Sequence, residues 1–362
     1  MSRFLSGHMQ KFEVYAPGEQ PQDRSYIKLN TNECPYPPGP MVQERLSGFA
    51  ATNTERLRLY PDPSASRLKL AAAAAFGLAA DNVFAGGGSD EILGFAFMAF
   101  FDPGGKVYFP DITYGFYEVY ANLFNLDIRA TPLNGDFVVD VSDYFSRDGH
   151  IVIANPNAPT GIALDTRQIE DILRSNRDRL VIIDEAYVDF SDGKSCVGLI
   201  NRYDNLLVIQ TFSKSRAFAG MRLGLAFGCP ALIDDLERVK YAFNPYNIDT
   251  ISMELGAAAL EDAEYFKGIA ARIIKTRGRL TEGLKELKFD VLHSEANFLF
   301  ARRDKIQGGE LYRRLKDKGV LVRHFSKPRI NDFVRITIGT DREIDILLDK
   351  IREILAEHEE GL

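Results

Sequence analysis

The sequence contains little of what disulfide-stabilised and metal-binding proteins need. Its three cysteines, Cys34, Cys196 and Cys229, are few, odd in number and widely separated along 362 residues. Such cysteines form no disulfide framework and are typical of a reducing compartment. The five histidines show no metal-ligand spacing, so we expect no metal site.

Long hydrophobic runs are also missing. Residues 1–12 lack the uninterrupted apolar core of a signal peptide, and the most apolar stretches, 70–80 and 92–101, are too short to span a bilayer. A net charge of −7 argues against nucleic acid or an anionic membrane surface as the main partner. We therefore expect a cytoplasmic protein that binds neither, although local basic pockets could hold a small anionic ligand.

What is present is the composition of an ordinary globular protein, with 45% apolar and 26% charged residues and enough length for two domains. Short apolar runs of strand length alternate with helical patterns over the first two thirds of the chain. The predicted strands are residues 82–85, 106–109, 127–131, 151–154, 180–183 and 206–210. One predicted helix follows the first strand and ends at residue 101, and two others cover 115–124 and 166–174. This alternation predicts an α/β fold whose mostly parallel sheet is covered by helices on both faces.

The two ends of the chain have a different pattern. Residues 2–40 are rich in proline, glycine and polar residues and predict an N-terminal arm. Helices are predicted at 44–57, 64–76, 231–242, 250–286, 309–318 and 341–357, and further strands at 290–292, 298–301 and 334–338. We predict an arm with part of a small domain at 1–46, a large domain at 47–245 and a small α+β domain at 246–362.

Polar side chains follow the predicted strands at their carboxyl ends, where ligands bind in parallel sheets. Lys214 follows residues 206–210 and has hydroxyl neighbours at Ser213 and Ser215, with Arg222 close behind. Burial lowers the pKa of a lysine and makes its amine nucleophilic, as a Schiff-base lysine requires. Arg222 and the two serines could hold a phosphate. Taken alone, this lysine could equally be an exposed loop residue.

Three further clusters follow other strands. Asp184, with Tyr187 three residues later, comes after 180–183, and a buried carboxylate there needs a partner. Amides and a rigid turn at 155–161 follow 151–154. A glycine turn leads into Ser89 and Asp90 at the start of a helix, where free N–H groups can bind an anion. Each cluster alone could be structural, but together they describe a pocket for pyridoxal phosphate.

With these motifs, the chain resembles the fold-type I pyridoxal phosphate aminotransferases, and among them most the histidinol-phosphate aminotransferases. The resemblance covers nearly the whole chain. It is carried by Tyr15-Ala16-Pro17-Gly18, Asn30-Thr31-Asn32-Glu33, Tyr60-Pro61-Asp62, Gly87-Gly88-Ser89-Asp90-Glu91, Asp184-Glu185-Ala186-Tyr187, Ser213-Lys214 and Arg335-Ile336-Thr337-Ile338-Gly339.

The resemblance implies a role for each matching residue. Lys214 would bind the cofactor and move a proton during catalysis, Asp184 would pair with the ring nitrogen, and Tyr187 would contact the ring hydroxyl. The other implied cofactor contacts are Tyr114 on the ring face, Ser89, Asp90, Ser213 and Arg222 on the phosphate, and Tyr60 from the neighbouring subunit of a homodimer. Arg335 and Arg323 are the candidates for the substrate anion, with Tyr15 and Asn32 as further substrate contacts. Arg323 could instead be a surface charge.

The sequence departs from the family pattern at two positions. Ala158 stands where asparagine usually precedes the Pro-Thr-Gly turn, so Asn157 or Asn155 must contact the ring oxygen, and we choose Asn157. Cys34 stands where asparagine is common after the Asn-x-Asn-Glu run. Neither position belongs to the catalytic pair of Lys214 and Asp184.

The activity implied by the resemblance is transamination between L-histidinol phosphate and 2-oxoglutarate, which yields imidazole-acetol phosphate and glutamate in histidine biosynthesis. Three alternatives stay open at this point. The chain could be an aminotransferase for aromatic or other amino acids, a phosphothreonine decarboxylase of the same fold, or an inactive binding module. The joint presence of Lys214, Asp184, Tyr187 and Arg222 argues against the last of these.

Overall fold

A computed structural model describes residues 2–10, 12, 14–192 and 195–360 of the chain, without the side chains of residues 359 and 360. The helices in this part are α1 (Gly7–Gln10), α2 (Pro40–Thr52), α3 (Ser66–Phe76), α4 (Ser89–Phe100), α5 (Phe116–Leu123), α6 (Thr166–Ser175), α7 (Pro230–Phe243), α8 (Thr250–Glu261), α9 (Ala263–Glu286), α10 (Gly308–Asp317) and α11 (Asp341–Glu360). Within the described residues, no helix has both the length and the apolar character needed to cross a bilayer.

The largest sheet has seven strands in the order β2-β8-β7-β6-β5-β3-β4. They are β2 (Val83–Gly86), β3 (Lys106–Pro110), β4 (Asp127–Thr131), β5 (His150–Ala154), β6 (Val181–Asp184), β7 (Leu206–Thr211) and β8 (Gly224–Phe227). All pairs are parallel except those of β8, which runs antiparallel to both β2 and β7. The prediction of a mostly parallel α/β sheet is confirmed. The sequence analysis missed β8, because this four-residue strand begins at a glycine directly behind the lysine loop.

Side chains of each central strand alternate between two separate cores, which lie on the two faces of the sheet. In β6, Val181 and Ile183 pack into one core and Ile182 into the other. Helices cover both faces, with α3, α6 and α8 on the first and α4, α5 and α7 on the second. The apolar run at the start of β7 is therefore continuous because the strand is buried on both sides.

The smaller sheets are built from the ends of the chain. Four antiparallel strands in the order β12-β13-β10-β9 form one of them, and β1 (Ile27–Lys28) pairs in parallel with β11 (Val320–Leu321). The four strands are β9 (Asp290–Val291), β10 (Phe298–Arg302), β12 (Arg323–His324) and β13 (Phe333–Thr337). The pairing of β1 with β11 connects the predicted arm to the carboxyl-terminal third of the chain.

Two predicted helices have different limits in the structure. The helix predicted at 44–57 begins earlier, because Pro40 is well suited to a first helical turn, and it ends at Thr52 before the 3₁₀ turn Thr54–Arg58. The helical span predicted at 250–286 is divided at Asp262 into α8 and α9. Since the predicted boundary after residue 46 lies within α2, the division at 46 and 245 stays a prediction.

Candidate active site

Four of the predicted polar clusters lie at one edge of the large sheet. β5, β6 and β7 are parallel, and β2 runs in the same direction as β7 because both are antiparallel to β8. The carboxyl ends of these strands therefore lie at the same edge. The sheet topology, rather than sequence proximity, brings residues 86–90, 155–161, 184–187 and 213–222 together.

Lys214 lies directly behind β7 with its amine directed into this edge. Its Nζ is 3.3 Å from the carbonyl oxygen of Thr31 and 5.8 Å from the centre of the Tyr187 ring. The pKa of this amine is lowered to about 8, mainly because its surroundings withdraw it from water and also because Arg335 lies nearby. A substantial neutral fraction is therefore present near neutral pH, and the neutral amine is the nucleophilic form.

Asp184 is the last residue of β6 and is 4% exposed. Its Oδ2 accepts a hydrogen bond of 2.9 Å from the Tyr117 hydroxyl and its Oδ1 one of 3.1 Å from the Ala186 N–H. Burial raises the pKa of this carboxyl to about 6, since the two hydrogen bonds only partly offset the lost hydration. A cation bound against the carboxylate would offset the rest of the hydration that burial removes.

Tyr187 is connected to the carboxyl-terminal sheet through Asn32. The Asn32 Nδ2 donates to the Tyr187 hydroxyl at 2.9 Å, while its Oδ1 accepts from Thr337 at 3.0 Å. Asn32 has a left-handed backbone with φ 57°, which asparagine tolerates better than most residues. The predicted substrate contact Asn32 therefore also orients the phenol predicted to face the cofactor ring.

The glycine turn before α4 forms a cradle that larger residues would fill. Gly88 has φ 96°, and a Cβ atom there would lie 2.7 Å from the Arg222 guanidinium. A Cβ on Gly224 of β8 would lie 2.8 Å from the backbone of Gly88 and Ser89. The N–H groups of the first turn of α4 lack intrahelical acceptors, so the cradle combines them with a guanidinium and suits a phosphate.

The two serines beside Lys214 have different roles. Ser213 Oγ accepts a hydrogen bond of 3.4 Å from Arg222, which places it at the phosphate cradle. Ser215 is 2% exposed, and its hydroxyl donates to Asp189. The structure gives no support to the suggestion that Ser215 could supply a phosphate donor, because its hydroxyl proton is already used in the bond to Asp189.

Aromatic side chains form one wall of the site. The Tyr114 hydroxyl donates to Asp90 Oδ1 at 2.8 Å, and Arg222 lies 3.4 Å from Asp90 Oδ2. Tyr15 of the arm lies with its ring centre 6.3 Å from that of Tyr114 and 4.3 Å from that of Phe116. The arm residue Tyr15 is therefore part of this aromatic wall, and its predicted contact with the substrate stays a prediction.

The amides of the 155–161 turn are already engaged. Asn157 Nδ2 donates to the Ile112 carbonyl at 3.0 Å and to Thr160 Oγ1 at 3.1 Å. Asn155 Nδ2 donates to the Leu164 carbonyl at 3.1 Å. To donate to a ring oxygen, the Asn157 amide must first break its bond to Ile112 or to Thr160. Its contact with the cofactor ring stays a prediction.

Arg335 is a partly buried cation without an acidic partner among the described residues. It lies on β13, donates to the Asn30 carbonyl at 3.1 Å, and has a buried Nε without a hydrogen-bond acceptor. The Phe298 and Phe325 rings pack on its guanidinium at 5.3 and 5.5 Å, and removal from water lowers its pKa. Withdrawal of an unpaired charge from water is costly, so the arrangement favours an anionic ligand.

Arg323 is the neighbour of Arg335 across the pairing of β12 with β13. It donates to the carbonyl oxygens of Ala16 and Pro17 at 3.1 and 3.3 Å. Arg323 is therefore more than an isolated surface charge, because it holds the arm segment that carries Tyr15. Its predicted contact with the substrate anion stays a prediction.

Tyr60 lies apart from the other predicted site residues. Its side chain is 81% exposed and its ring stacks on Tyr246 at 4.5 Å. No contact among the described residues supports a role for Tyr60 in the site of its own subunit. A side chain that reaches the site of a neighbouring subunit must be exposed on its own subunit, as Tyr60 is.

Sequence reasoning missed Tyr117, which the structure places against Asp184. Burial beside this carboxylate raises the pKa of the Tyr117 phenol well above its usual value, so the hydroxyl stays a donor. The available signal was its position three residues after Tyr114, where the chain enters α5 and the Tyr117 N–H donates to the Tyr114 carbonyl at 3.2 Å. No group of three or more potential metal ligands is found among the described residues.

The donor set fits pyridoxal phosphate. It includes a nucleophilic amine, a buried carboxylate for a pyridinium, a phenol for the ring hydroxyl, an aromatic wall and a cradle for the phosphate. The Gly88 and Gly224 contacts show that the cradle is narrow enough for backbone N–H groups to reach an oxyanion.

Comparisons with known proteins agree with this geometry. Residues 24–351 match the family model of aminotransferase class I and II. Over 98% of this chain and 99% of its own length, a histidinol-phosphate aminotransferase of Brachyspira hyodysenteriae is 50% identical. Another, from Clostridium beijerinckii, is 46% identical over the full length of both chains.

Among solved structures, the histidinol-phosphate aminotransferase of Sinorhizobium meliloti in complex with pyridoxal-5'-phosphate superposes with a TM-score of 0.88. It is 22% identical, and the match covers 98% of this chain and 99% of that one. The shared fold and the site at the sheet edge define a fold-type I enzyme of the kind that uses pyridoxal phosphate. The chain belongs to the class I and II aminotransferases, as the sequence predicted.

Proposed function

We propose that the chain is a pyridoxal phosphate-dependent aminotransferase of histidine biosynthesis, with L-histidinol phosphate as amino donor and 2-oxoglutarate as acceptor. The products are imidazole-acetol phosphate and glutamate. The observation that supports this substrate class best is Arg335, which lies next to the Lys214 amine. Its guanidinium has a buried Nε and, among the residues that the structure describes, no carboxylate partner. The names of the relatives with 46 to 50% identity point to the same reaction.

Pyridoxal phosphate, when bound, withdraws electrons from the substrate carbon that carries the amino group. Lys214 would hold the cofactor through its aldehyde carbon. Once the substrate amine displaces it there, the freed Lys214 amine would act as a general base for the proton on the substrate Cα. Asp184 would hold a proton on the ring nitrogen, and Tyr187 would donate to the ring hydroxyl. Tyr114 would pack on the ring face, while Ser213, Arg222 and the first N–H groups of α4 would bind the phosphate.

The substrate is held from the opposite side by the carboxyl-terminal sheet and the arm. Arg335 and Arg323 bind the phosphate of histidinol phosphate in one half-reaction and a carboxylate of glutamate or 2-oxoglutarate in the other, because bidentate arginine suits both anions. Tyr15 and Asn32 lie on this side as well. The aromatic wall would also accept a phenyl ring, so an aromatic amino-acid aminotransferase is the second candidate.

We also propose a cytoplasmic homodimer. The part of the chain around Tyr60 exposes six large apolar side chains, which we call the Tyr60 surface: Leu57, Leu59, Tyr60, Tyr241, Phe243 and Tyr246. Within this set Tyr60 stacks on Tyr246, and exposed apolar side chains of this kind are typical of a protein interface. A second copy of the chain bound here would bury these residues and bring Tyr60 towards a neighbouring site.

Single half-reactions should distinguish the two candidate substrates. The visible absorption of the cofactor-loaded protein is followed after addition of histidinol phosphate alone or phenylalanine alone. We expect conversion by histidinol phosphate to be much faster, because its phosphate carries nearly two negative charges and suits the pair of Arg335 and Arg323 better than a single carboxylate does. The reverse order would assign the protein to the aromatic aminotransferases.

The same assay tests the arginine directly. Arg335→Met should lower kcat/KM for histidinol phosphate roughly 10²- to 10³-fold, since loss of one partner of a buried charge pair costs about 2–5 kcal/mol. Arg302→Met is the matched control, because Arg302 lies on the adjacent strand and pairs with Asp290 at the surface. Equal effects of the two substitutions would exclude Arg335 from the anion site.

Capture of pyridoxal phosphate by cofactor-free protein should depend on pH through Lys214. Because its pKa is lowered to about 8, the neutral fraction should rise about tenfold per pH unit below 8 and level off above it. The rate of appearance of the visible band between pH 6 and 10 should follow this curve. A rate that still rises steeply between pH 9 and 10 would show an ordinary lysine, and Lys214→Ala should give no such band.

A further inference from the structure

Lys240 is a buried lysine outside the site described above. It lies on α7, is 2% exposed, and its Nζ donates to the carbonyl oxygen of Pro63 at 2.7 Å. The ammonium also pairs with Glu237, one helical turn earlier. Burial of a lysine is rare unless its charge has partners, and this one has both a carboxylate and a carbonyl.

The charge of this group is balanced by a small network. Glu237 also pairs with Lys69 of α3 at 3.2 Å, so one carboxylate serves two lysines. The Lys240 Nζ lies 5.8 Å from the centre of the Phe84 ring and 4.6 Å from that of Tyr241. The network therefore connects α3, α7 and the first strand of the large sheet with the loop that ends at Pro63.

That loop carries Tyr60, and it is held at three points. Asp62 accepts hydrogen bonds from the N–H groups of Ser64 and Ser66 at 3.0 and 2.8 Å, which fixes its junction with α3. Lys240 holds the Pro63 carbonyl from inside, and Tyr246 stacks on the Tyr60 ring from outside. Pro61 and Pro63 restrict the backbone between these points.

The Tyr60 hydroxyl itself has no hydrogen-bond partner among the residues that the structure describes. The loop thus presents a rigidly supported phenol with a free hydroxyl on the apolar Tyr60 surface. Such support is unnecessary for an ordinary exposed tyrosine, but it is required when the ring must reach a fixed point in another subunit.

We propose that Lys240 is a positioning residue, which holds the Pro63 carbonyl so that Tyr60 reaches the cofactor phosphate bound by the partner subunit. This inference rests on the proposed homodimer and on the proposed role of Tyr60. Lys240 touches neither substrate nor cofactor. Its removal frees the loop, so the effect of a substitution must appear in the site of the other subunit.

Two kinds of heterodimer test this dependence between subunits. In the first, a Lys240→Met subunit is paired with a Lys214→Ala subunit. In the second, an unsubstituted subunit is paired with a Lys214→Ala/Lys240→Met subunit. Both contain one copy of each substitution and one site with Lys214, so differences in overall stability cancel. Differently tagged subunits allow each heterodimer to be purified with cofactor.

The two heterodimers should differ in their single competent site. In the first, this site receives Tyr60 from the subunit with an intact Lys240, and its half-reaction rate and cofactor retention should equal those of a reference dimer with one Lys214→Ala subunit. In the second, Tyr60 comes from the Lys240→Met subunit, and we expect cofactor loss about tenfold faster. A defect that appears in the first and not in the second would overturn the proposal, as would equal behaviour of both.

Tyr60→Phe in the same two arrangements separates this inference from the proposed function. If the half-reaction rate and cofactor retention are the same whichever subunit carries Tyr60→Phe, the proposed contact across the dimer is wrong. If they depend on which subunit carries Tyr60→Phe but not on which carries Lys240→Met, only the role of Lys240 is wrong. Lys69→Met is the matched control, since it also removes a cation from Glu237 but leaves the bond to Pro63, and it should show no dependence on arrangement.

Two further variants separate a loss of loop positioning from a failure of the subunit to fold. Lys240→Arg retains a charged donor and should restore cofactor retention in the second heterodimer to within about threefold of the reference dimer. If Lys240→Met subunits do not fold, Lys240→Gln is compared in the same two heterodimers, with the same two outcomes deciding the proposal.

Discussion

Lys214→Ala should lower transamination at least about 10³-fold, because the variant loses both covalent and general-base catalysis. The amine lies at the edge of the sheet where the other predicted cofactor contacts converge, and its lowered pKa of about 8 keeps part of it neutral. Alanine removes the amine without adding bulk. The measurement is steady-state turnover of histidinol phosphate with 2-oxoglutarate, together with the visible absorption of the bound cofactor.

Lys214→Arg is the control that separates nucleophilicity from charge. It retains a cation and much of the side-chain volume, but a guanidinium does not serve as the required nucleophile. We expect it to be as inactive as Lys214→Ala. If either variant folds normally and transaminates at more than a tenth of the parent rate, the assignment of Lys214 is wrong.

Asp184→Asn should cause the second largest loss. The buried carboxylate is proposed to hold a proton on the cofactor ring nitrogen, and the amide carries no charge to do so. Loss of one partner of a buried charge pair costs about 3–5 kcal/mol, which corresponds to roughly 10²- to 5 × 10³-fold in rate. Turnover and the rate of cofactor release during dialysis measure the two parts of this effect.

Tyr117→Phe is the matched control for Asp184. It removes the 2.9 Å hydrogen bond to Oδ2 and leaves the carboxylate in place. A hydrogen bond to a charged group contributes about 1.5–3 kcal/mol, so the rate should fall roughly 10- to 10²-fold, less than in Asp184→Asn. Normal kinetics in Asp184→Asn would show that the aspartate is structural, and a Tyr117→Phe loss as large as that of Asp184→Asn would show that orientation matters more than charge.

Much of the fold was predictable because long parallel strands are buried on both faces. Their continuous apolar runs, such as those in β5, β6 and β7, are distinctive in sequence. β8 was not distinctive, because two of its four residues, Gly224 and Ala226, have low strand propensity, and its strand partners are provided by long-range contacts. The limits of α2 were also missed, since the helix signals of 44–57 continue into a 3₁₀ turn.

The chemical role of a side chain was harder to predict than its position. Ser213 and Ser215 flank the same lysine, yet one faces the cradle and the other is buried against Asp189. Asn157 follows a strand as expected, but its amide is used by the turn itself. Which hydrogen bonds form depends on partners from other strands, and these are invisible in a local pattern.

The sequence by itself determined the class of fold and the family, and it supplied the candidate reactive residues, because buried strands and the polar residues at their ends are local features of the chain. Only the tertiary structure decided how these residues act together. It made Arg335 and Arg323 neighbours across two strands, and it connected Lys240 to the loop of Tyr60 over 177 residues. Burial and long-range contacts set charge, pKa and orientation, and neither is encoded in any single stretch of the sequence.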